Sequence, residues 1–346
     1  MGYSVNDRVT LTDIAQQSGV SVATVSLVIN NRPGISQDTR TRVLEVAESL
    51  GYPLKPAQAS GRSTRLTTLG MVVKTEPTRA PEANPFYSKV ILGIEEACRR
   101  GGIHLMFGRL PVDENNHPVE VPAMLNSEVA DGFLMVGTFI DETITSINNK
   151  RMPPIVLVDA YSNTESYDAV VSDNFRAAYQ AVEFLIRKGH RHIGLVGSEV
   201  NAYPSLRDRR NGYLRALKEN NIAGTYIAVF NINRELGYEE TTRLLKEHPE
   251  ITALFGVNDE VAVTAMRAAQ DLGRGVPQDL SVIGYDGTYL AVKASPPLTT
   301  MHVDIVSMGS AAVQMLAFRL ENPDAVRMTL TIHPTLIERE SVTDVK

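Results

Sequence analysis

The sequence predicts an all-α helix-turn-helix head at the N-terminus, followed by an α/β body of two doubly wound lobes. Three observations carry this expectation. Short amphipathic stretches divided by Gly19 and by a Pro-Gly loop fill the first 52 residues. From Thr67 onward, short apolar runs alternate with amphipathic helical segments. That alternating part spans about 270 residues, which suits two α/β lobes better than one.

In the head, Thr10 and Asp13 have the spacing of a capping box, and Leu11, Ile14 and Ala15 follow at helical spacing. Gly19 suits a tight turn or a positive φ. Ser21 can cap a second helix, Val22 to Ile29, with Val25, Val28 and Ile29 facing inward. Asn30-Asn31-Arg32-Pro33-Gly34 reads as a loop. Ser36 can cap a third helix that runs to Leu50, buries Val43, Leu44, Ala47 and Leu50, and stops at Gly51. The second helix then presents Val22, Ala23, Ser26, Leu27 and Asn30 outward, side chains small enough to approach phosphates and base edges. The same geometry also fits a three-helix bundle that packs against protein.

In the body, strands are expected at Leu69–Val73, Ile103–Phe107, Phe133–Val136, Ile155–Val158, Ile193–Val196, Ile227–Phe230, Ala253–Phe255 and Leu280–Ile283. Helices between them include Lys89–Arg100, Asn174–Lys188, Arg209–Asn220, Gly237–Glu247 and Glu260–Leu272. Ligands of such folds bind at the carboxyl ends of strands, and between two lobes that means a cleft. The residues just past strands are Asp159, Asn258 with Asp259, and Asp286, with Arg207 and Arg209 beyond HIGLVG. Carboxylates, an amide and a guanidinium on one cleft suit a polyhydroxylated molecule. The same inventory serves hydrolysis by paired carboxylates. Asp259 is as well placed to cap a helix as to bind a ligand.

The composition bounds the rest. With 43% hydrophobic and 21% charged residues, the 346-residue chain is neither disordered nor low-complexity. It has no apolar run near ~18 residues, and its N-terminus, MGYSVNDRVT, is too polar for a signal peptide. The single Cys98 fits a reducing compartment, so a cytoplasmic location without a membrane partner is expected. The net charge of −6 argues at first against nucleic acid, but residues 1–65 carry +2 and the remainder −8. A mildly basic head therefore precedes an acidic body. P-loop, G-x-G-x-x-G and G-x-S-x-G motifs are missing, and no cofactor is expected. His190 and His192 lie in a turn without further ligands nearby and are read as structural.

The run VTLTDIAQQSGVSVATVSLVINNRPGISQDTRTRVLEVAESLGY (9–52) resembles the headpiece of the LacI/GalR family of bacterial transcription regulators. The V-T-L-x-D-I-A, G-V-S, T-V-S-x-V-I-N, S-x-x-T-R and L-G-Y elements are all in register. The resemblance implies a DNA-binding head in which Ser21, Thr24, Ser26, Asn30, Ser36 and Thr39 touch phosphates or base edges, with Thr10 and Leu11 added to that set. The family usually places longer polar side chains where this chain has Val22, Ala23 and Leu27. Apolar residues there can read thymine methyl groups, so A·T pairs are expected opposite them. The family's hinge helix carries an Ala and a minor-groove Leu where this chain has Gln58 and Gly61. An interior Gly costs a helix about 1 kcal/mol, so a flexible linker fits as well as an intercalating hinge.

NPFYSKVILGIEEA, KGHRHIGLVG, the R-x-x-G-Y of Arg209–Tyr213, LFGVND, LSVIGYDG and PPLTTMHVD resemble that family's periplasmic-binding-protein-like effector domain. This implies an effector pocket of Phe86, Tyr87, Asp159, Arg209, Asn258 and Asp286. Ile232 stands where an aromatic often stacks, and Val303 where a polar residue often sits. TEPTRAPEA (75–83) lengthens the loop at the pocket mouth. The implied organisation is a headpiece at 1–52, a linker at 53–66, one lobe from 67–171 with 303–330, and the other from 172–302 with 331–346. The implied partners are double-stranded operator DNA, a sugar or nucleoside-like effector, and a second copy of the chain in a homodimer. The competing class is a two-lobed solute-binding protein or sugar-acting enzyme, which needs no headpiece.

Overall fold

The computed structural model describes residues 9–29, 34–52, 65–75, 84–113, 115–126, 129–139, 141–147, 153–162, 167–199, 203–230 and 237–345. Asn30, Gln58, Gly61, Ile232 and residues 76–83 of the loop insertion lie outside them. The chain divides into two compact units, Met1–Thr64 and Arg65–Lys346.

The first unit holds α1 (Leu11–Ser18), α2 (Val22–Ile29) and α3 (Gln37–Ser49). Each start is fixed by a hydroxyl. Thr10 forms the expected capping box, its N–H donating to Asp13 Oδ2 at 2.7 Å while its Oγ1 accepts from Asp13 N. Ser21 Oγ accepts from Thr24 N (3.1 Å), and Ser36 Oγ from Thr39 N (3.4 Å). Gly19 and Gly51 end α1 and α3 at φ +69°, a conformation open to glycine at little cost. Ile14, Val25, Val28, Val43 and Ala47 are buried together, with Ile29, Leu44 and Leu50 packed half-buried against them.

The second unit contains two six-stranded sheets. Chain order gives β1 (Thr68–Thr75), α4 (Tyr87–Gly101), β2 (His104–Pro111), β3 (Gly132–Val136), α5 (Asp141–Ile147), β4 (Ile155–Val158) and β5 (Asp168–Ser172). Next come α6 (Asn174–Arg187), β6 (Ile193–Val196), α7 (Pro204–Glu219), β7 (Tyr226–Ala228), α8 (Tyr238–Glu247), β8 (Ala253–Gly256), α9 (Asp259–Asp271) and β9 (Ser281–Asp286). The chain finishes with α10 (Tyr289–Lys293), β10 (Thr299–His302), α11 (Ile305–Glu321), β11 (Thr329–Ile332) and β12 (Thr335–Ile337). The first sheet runs β11-β5-β4-β3-β1-β2, entirely parallel. The second runs β12-β10-β9-β8-β6-β7, with only β12 antiparallel. Both are doubly wound, and strand order reverses between β1 and β3 and between β6 and β8. The chain passes between the sheets three times, after β5, after β10 and after β11.

Three expectations about elements change. α7 begins at Pro204, five residues before the expected start, because proline at the first helical position is pre-set for the helix. Arg207 therefore lies on the helix as well, one turn inside its start, together with Arg209. β2 extends to Pro111. β5, β10, β11 and β12 are additional strands, and three of the four are rich in threonine, whose hydroxyls hide the apolar signal.

Candidate functional site

On the head, Val22 (43% exposed), Leu27 (39%) and Ala23 lie at the surface of α2. The polar residues singled out for DNA contact pair as caps: Ser21 Oγ is 2.8 Å from Thr24 Oγ1, and Ser36 Oγ donates to Thr39 Oγ1 at 2.9 Å. Caps of this kind leave hydroxyls at helix starts, where phosphates are favoured. Thr10 is exposed beside them, Leu11 and Ser26 are half-buried, and Asn30 is outside the described residues.

In the body, the C-terminal ends of strands from both sheets converge. Asp159 follows β4 in the left-handed region (φ +60°) and is 7% exposed. Its Oδ2 accepts from Tyr87 Oη at 2.9 Å. Tyr87 meets Phe86 edge-on, ring centroids 5.4 Å apart, and Asn84 Oδ1 holds both of their backbone N–H groups at the start of α4. The Asp159 Oδ1 atom is buried and has no hydrogen-bond partner among the described residues. Burial pushes the Asp159 carboxyl up, against the opposing pull of Arg209, Tyr87 and Lys74.

Arg209 is the hub. Its Nε donates to Asn174 Oδ1 (2.8 Å), its NH1 to Val257 O (2.6 Å), and its plane lies 3.7 Å from the centroid of the Tyr285 ring. NH1 is also 3.4 Å from Asp286 Oδ1, an ion pair with both side chains almost fully buried. Asp286 closes β9 at φ +101°. Burial raises its carboxyl well above the usual range, Arg209 opposes, and Asp259 and Asp159 add to the rise. Ser172 and Tyr285 share a 2.7 Å hydroxyl contact, and Asn174 Nδ2 donates to Ser172 O. Thr138, Phe139, Asp159, Ala160, Tyr161, Val171, Asn174, Pro204 and Ser205 line a cavity here.

The structure thus brings Tyr87, Asp159, Arg209 and Asp286 together, with Phe86 supporting Tyr87. The Asn258 carboxamide oxygen caps α9, accepting from Val261 N at 2.8 Å. The capping alternative for Asp259 is corrected, since Asp259 is the first helical residue and points inward. Its oxygens take bonds from Thr288 N, Thr288 Oγ1 and Thr300 Oγ1. Val303 is fully buried. His190 and His192 serve separate neighbours: His190 sits between Thr252 Oγ1 and Thr343 O, and His192 sits beside Tyr226 Oη.

Asn174, Tyr285 and Lys74 also belong to this cluster, beyond the residues expected there from the sequence. Lys74 lies within β1, 6% exposed, and its Nζ donates to Thr138 Oγ1 (3.2 Å) and Tyr203 Oη (3.3 Å). A charged residue at the end of the apolar run LGMVV was the signal available for it. Residues of the two lobes also meet at the start of α7, where Asn116 Nδ2 donates to Tyr203 Oη (2.5 Å) and Tyr161 Oη to Asp208 Oδ2 (2.7 Å).

Among the described residues no helix is long and apolar enough to cross a membrane. Residues 10–53 match the model of "bacterial regulatory proteins, lacI family", and residues 182–342 match a periplasmic binding protein-like domain. The chain is 30% identical over 335 residues to the HTH-type transcriptional repressor PurR of Mannheimia succiniciproducens, covering 96% of this chain and 98% of that one. It is likewise 30% identical over 335 residues to catabolite control protein A of Priestia megaterium, with the same coverage. Among solved structures, a transcriptional regulator CelR–cellobiose complex matches with TM-score 0.70 and 26% identity, covering 96% of this chain and 100% of that one. Head, two-sheet body and full-length similarity agree: this chain belongs to the LacI family of bacterial regulatory proteins and is a DNA-binding transcription regulator.

Proposed function

We propose that the regulator is a homodimeric repressor whose operator affinity is set by a polyhydroxylated small molecule, a sugar or related metabolite, bound between the lobes. The unpartnered, buried Asp159 Oδ1 beside the Arg209 hub carries this reading. A ligand hydroxyl supplies the missing donor, and Arg209 supplies donors in return. The assignment of Phe86, Tyr87, Asp159, Arg209 and Asp286 to the effector is supported by their convergence, and Asn258, whose side-chain oxygen caps α9, is assigned on the resemblance alone. CelR with cellobiose, and a LacI-family regulator of Enterococcus faecium with ribose (23% identical over 81% of this chain, TM-score 0.65), are related two-lobed folds that hold sugars. The paired carboxylates are read as ligand acceptors and not as catalysts, because Tyr87 engages one and Arg209 the other. A cytoplasmic location is proposed with it, since that is where operator DNA is met.

The proposed division is a head at 1–52, a linker at 53–66 and lobes at 67–171 with 303–330 and 172–302 with 331–346; sheet membership supports the two lobes but moves their boundaries past β5 at Ser172 and past β11 at Ile332. Ligand shifts the lobes about the three chain crossings, and it changes operator affinity only as far as it prefers one arrangement. A thermal-shift screen of the full chain against sugars and nucleosides tests the reading: a specific sugar raises Tm by mass action, and no shift with any sugar refutes it.

On the head, Thr10, Leu11, Ser21, Thr24, Ser26, Asn30, Ser36 and Thr39 are assigned to the backbone and base edges, and Val22, Ala23 and Leu27 to thymine methyls. The exposure of Val22 and Leu27 supports this. Thymine-to-uracil replacement opposite α2 is expected to weaken operator binding measurably, and equal affinity rejects the apolar reading.

A further inference from the structure

We propose that Asn174 is a positioning residue of the effector response: it fastens the Arg209 guanidinium to the first chain crossing between the lobes, so that the setting of Arg209 and the angle of the lobes change together. This rests on the reading of the cleft as the effector site and adds the route from that site to the rest of the molecule.

The crossing is short. β5 of the first sheet ends at Ser172, Asp173 follows, and Asn174 opens α6 in the second lobe. Asn174 is 3% exposed and uses both ends of its amide: Nδ2 donates to Ser172 O (3.0 Å), and Oδ1 accepts from Arg209 Nε (2.8 Å). Nε is the guanidinium nitrogen nearest the main chain. With NH1 held by Val257 O, a bond at Nε fixes the plane of the rigid fork. That plane lies on Tyr285, whose hydroxyl is 2.7 Å from Ser172 Oγ. The amide at the edge of Arg209 and the ring beneath it are therefore both fastened to Ser172, the last residue of the first sheet before the crossing. Arg209, Asn174, Ser172 and Tyr285 close a circuit of contacts that spans the two lobes.

The other crossings join the same circuit. Asp286, paired with Arg209, accepts through its backbone oxygen from Val303 N (3.1 Å), the fully buried residue at the second crossing. At the third, His333 Nδ1 lies 3.2 Å from Asp173 Oδ2, and Asp173 N donates to Ile332 O (2.9 Å). Lobe rotation is a change of backbone angles at a few residues where elements end, and here those residues lead back to Arg209. Asn174 also lines the cavity beside Asp159, so a ligand there meets the link directly. A ligand that turns the guanidinium pulls on Asn174 and through it on Ser172. Buried polar groups give up their partners only at a cost, so the movement passes to the crossing instead of being absorbed beside the ligand.

The test reads the lobe angle without any ligand. Full-length protein carrying Glu142→Cys in the first lobe and Lys246→Cys in the second, both exposed, takes a nitroxide at each, while Cys98 is buried. Double electron–electron resonance, with unlabelled protein in excess, then gives the interlobe distance. Asn174→Ala is expected to move the mean or widen the distribution by about 2 Å or more. Asn174→Asp keeps an acceptor for Arg209 Nε and a favourable helix start but has no donor for Ser172 O, so it should loosen the lobes as well. Ser172→Ala with Tyr285→Phe, which leaves the aromatic ring in place, should do the same from the other side of the circuit. Thr241→Val deletes a buried hydroxyl bond elsewhere in the second lobe (Thr241 Oγ1 to Gly237 O, 2.7 Å) and should lower Tm with the distance unchanged. A wild-type distribution in the Asn174 variants overturns the link, and so does an equal widening in Thr241→Val. Should Asn174→Ala not fold, Asn174→Asp and the hydroxyl pair decide. None of these readings needs a sugar, so a failed thermal-shift screen and a failed link are separate results.

Discussion

Arg209→Ala is expected to abolish the effector-induced rise in Tm while leaving operator binding intact. The guanidinium touches the cleft from four sides, through Asn174, Val257 O, the Tyr285 ring and Asp286. Alanine removes the ligand's donors and the counter-charge that opposes the rise of the Asp286 carboxyl, so that carboxyl moves further toward its neutral form. Breaking a buried pair from one side costs about 3–5 kcal/mol. The body's Tm should therefore fall even without ligand. Arg209→Lys keeps the charge but loses the planar fork and the stack on Tyr285, so it should recover stability better than ligand response. A variant that still answers the same effector with wild-type affinity would remove Arg209 from the site.

Arg319→Met should be the most damaging single change to the fold away from the cleft. Arg319 is 2% exposed and grips the fully buried Asp168 with Nε to Oδ2 (2.7 Å) and NH2 to Oδ1 (3.0 Å). Its remaining hydrogens bond the carbonyls of Asn322, Pro323, Ala325 and Val326, fastening the turn that carries the chain from α11 to β11. Losing it leaves the Asp168 carboxylate only Arg327 and Met328 N, and strips four carbonyls of their donor, at about 3–5 kcal/mol, read as a lower denaturation midpoint. Burial pulls the Asp168 carboxyl up, but bonds from Arg319, Met328 N and Arg327 outweigh that and leave it below its usual 3.8. A carboxyl depressed on folding stabilises the fold above its unfolded pKa and loses that contribution as pH falls toward the folded value. Wild-type stability should thus decline below about pH 4, and Arg319→Met should flatten that decline. Replacing both partners together, Asp168→Leu with Arg319→Met, should recover part of the loss.

The head was legible almost residue by residue, because its signals are local. A hydroxyl three positions before the amide it caps, or a glycine at a helix end, needs no knowledge of the rest of the chain. The strands with unbroken apolar runs were equally plain. β10 and β12 were not, since Thr299 is hidden in the core only because its hydroxyl accepts from Arg339 N, forty residues away. At the cleft, positions just past strands identified Asp159, Arg209 and Asp286. The ring stacked under Arg209 and the amide beside it come from residues 76 and 35 positions away along the chain, contacts that no local spacing encodes. Lys74 directly follows the expected strand Leu69–Val73 and so meets the same criterion, but its bonds to Thr138 and Tyr203 join residues 64 and 129 positions away and are visible only in the structure.

The three passages of the chain between the sheets also bear on how the protein is made. The head's core is complete once residue 52 has been synthesised, but the first sheet lacks its edge strand β11 until Ile332, and the second lacks β12 until Ile337. At ribosomal speeds, on the order of ten seconds or more separates the emergence of β5 from that of its neighbour β11. Throughout that interval the apolar β5 presents an unpaired edge, open to mispairing or to a chaperone. An interrupted message would release a chain with a finished DNA-reading head and no finished sensor.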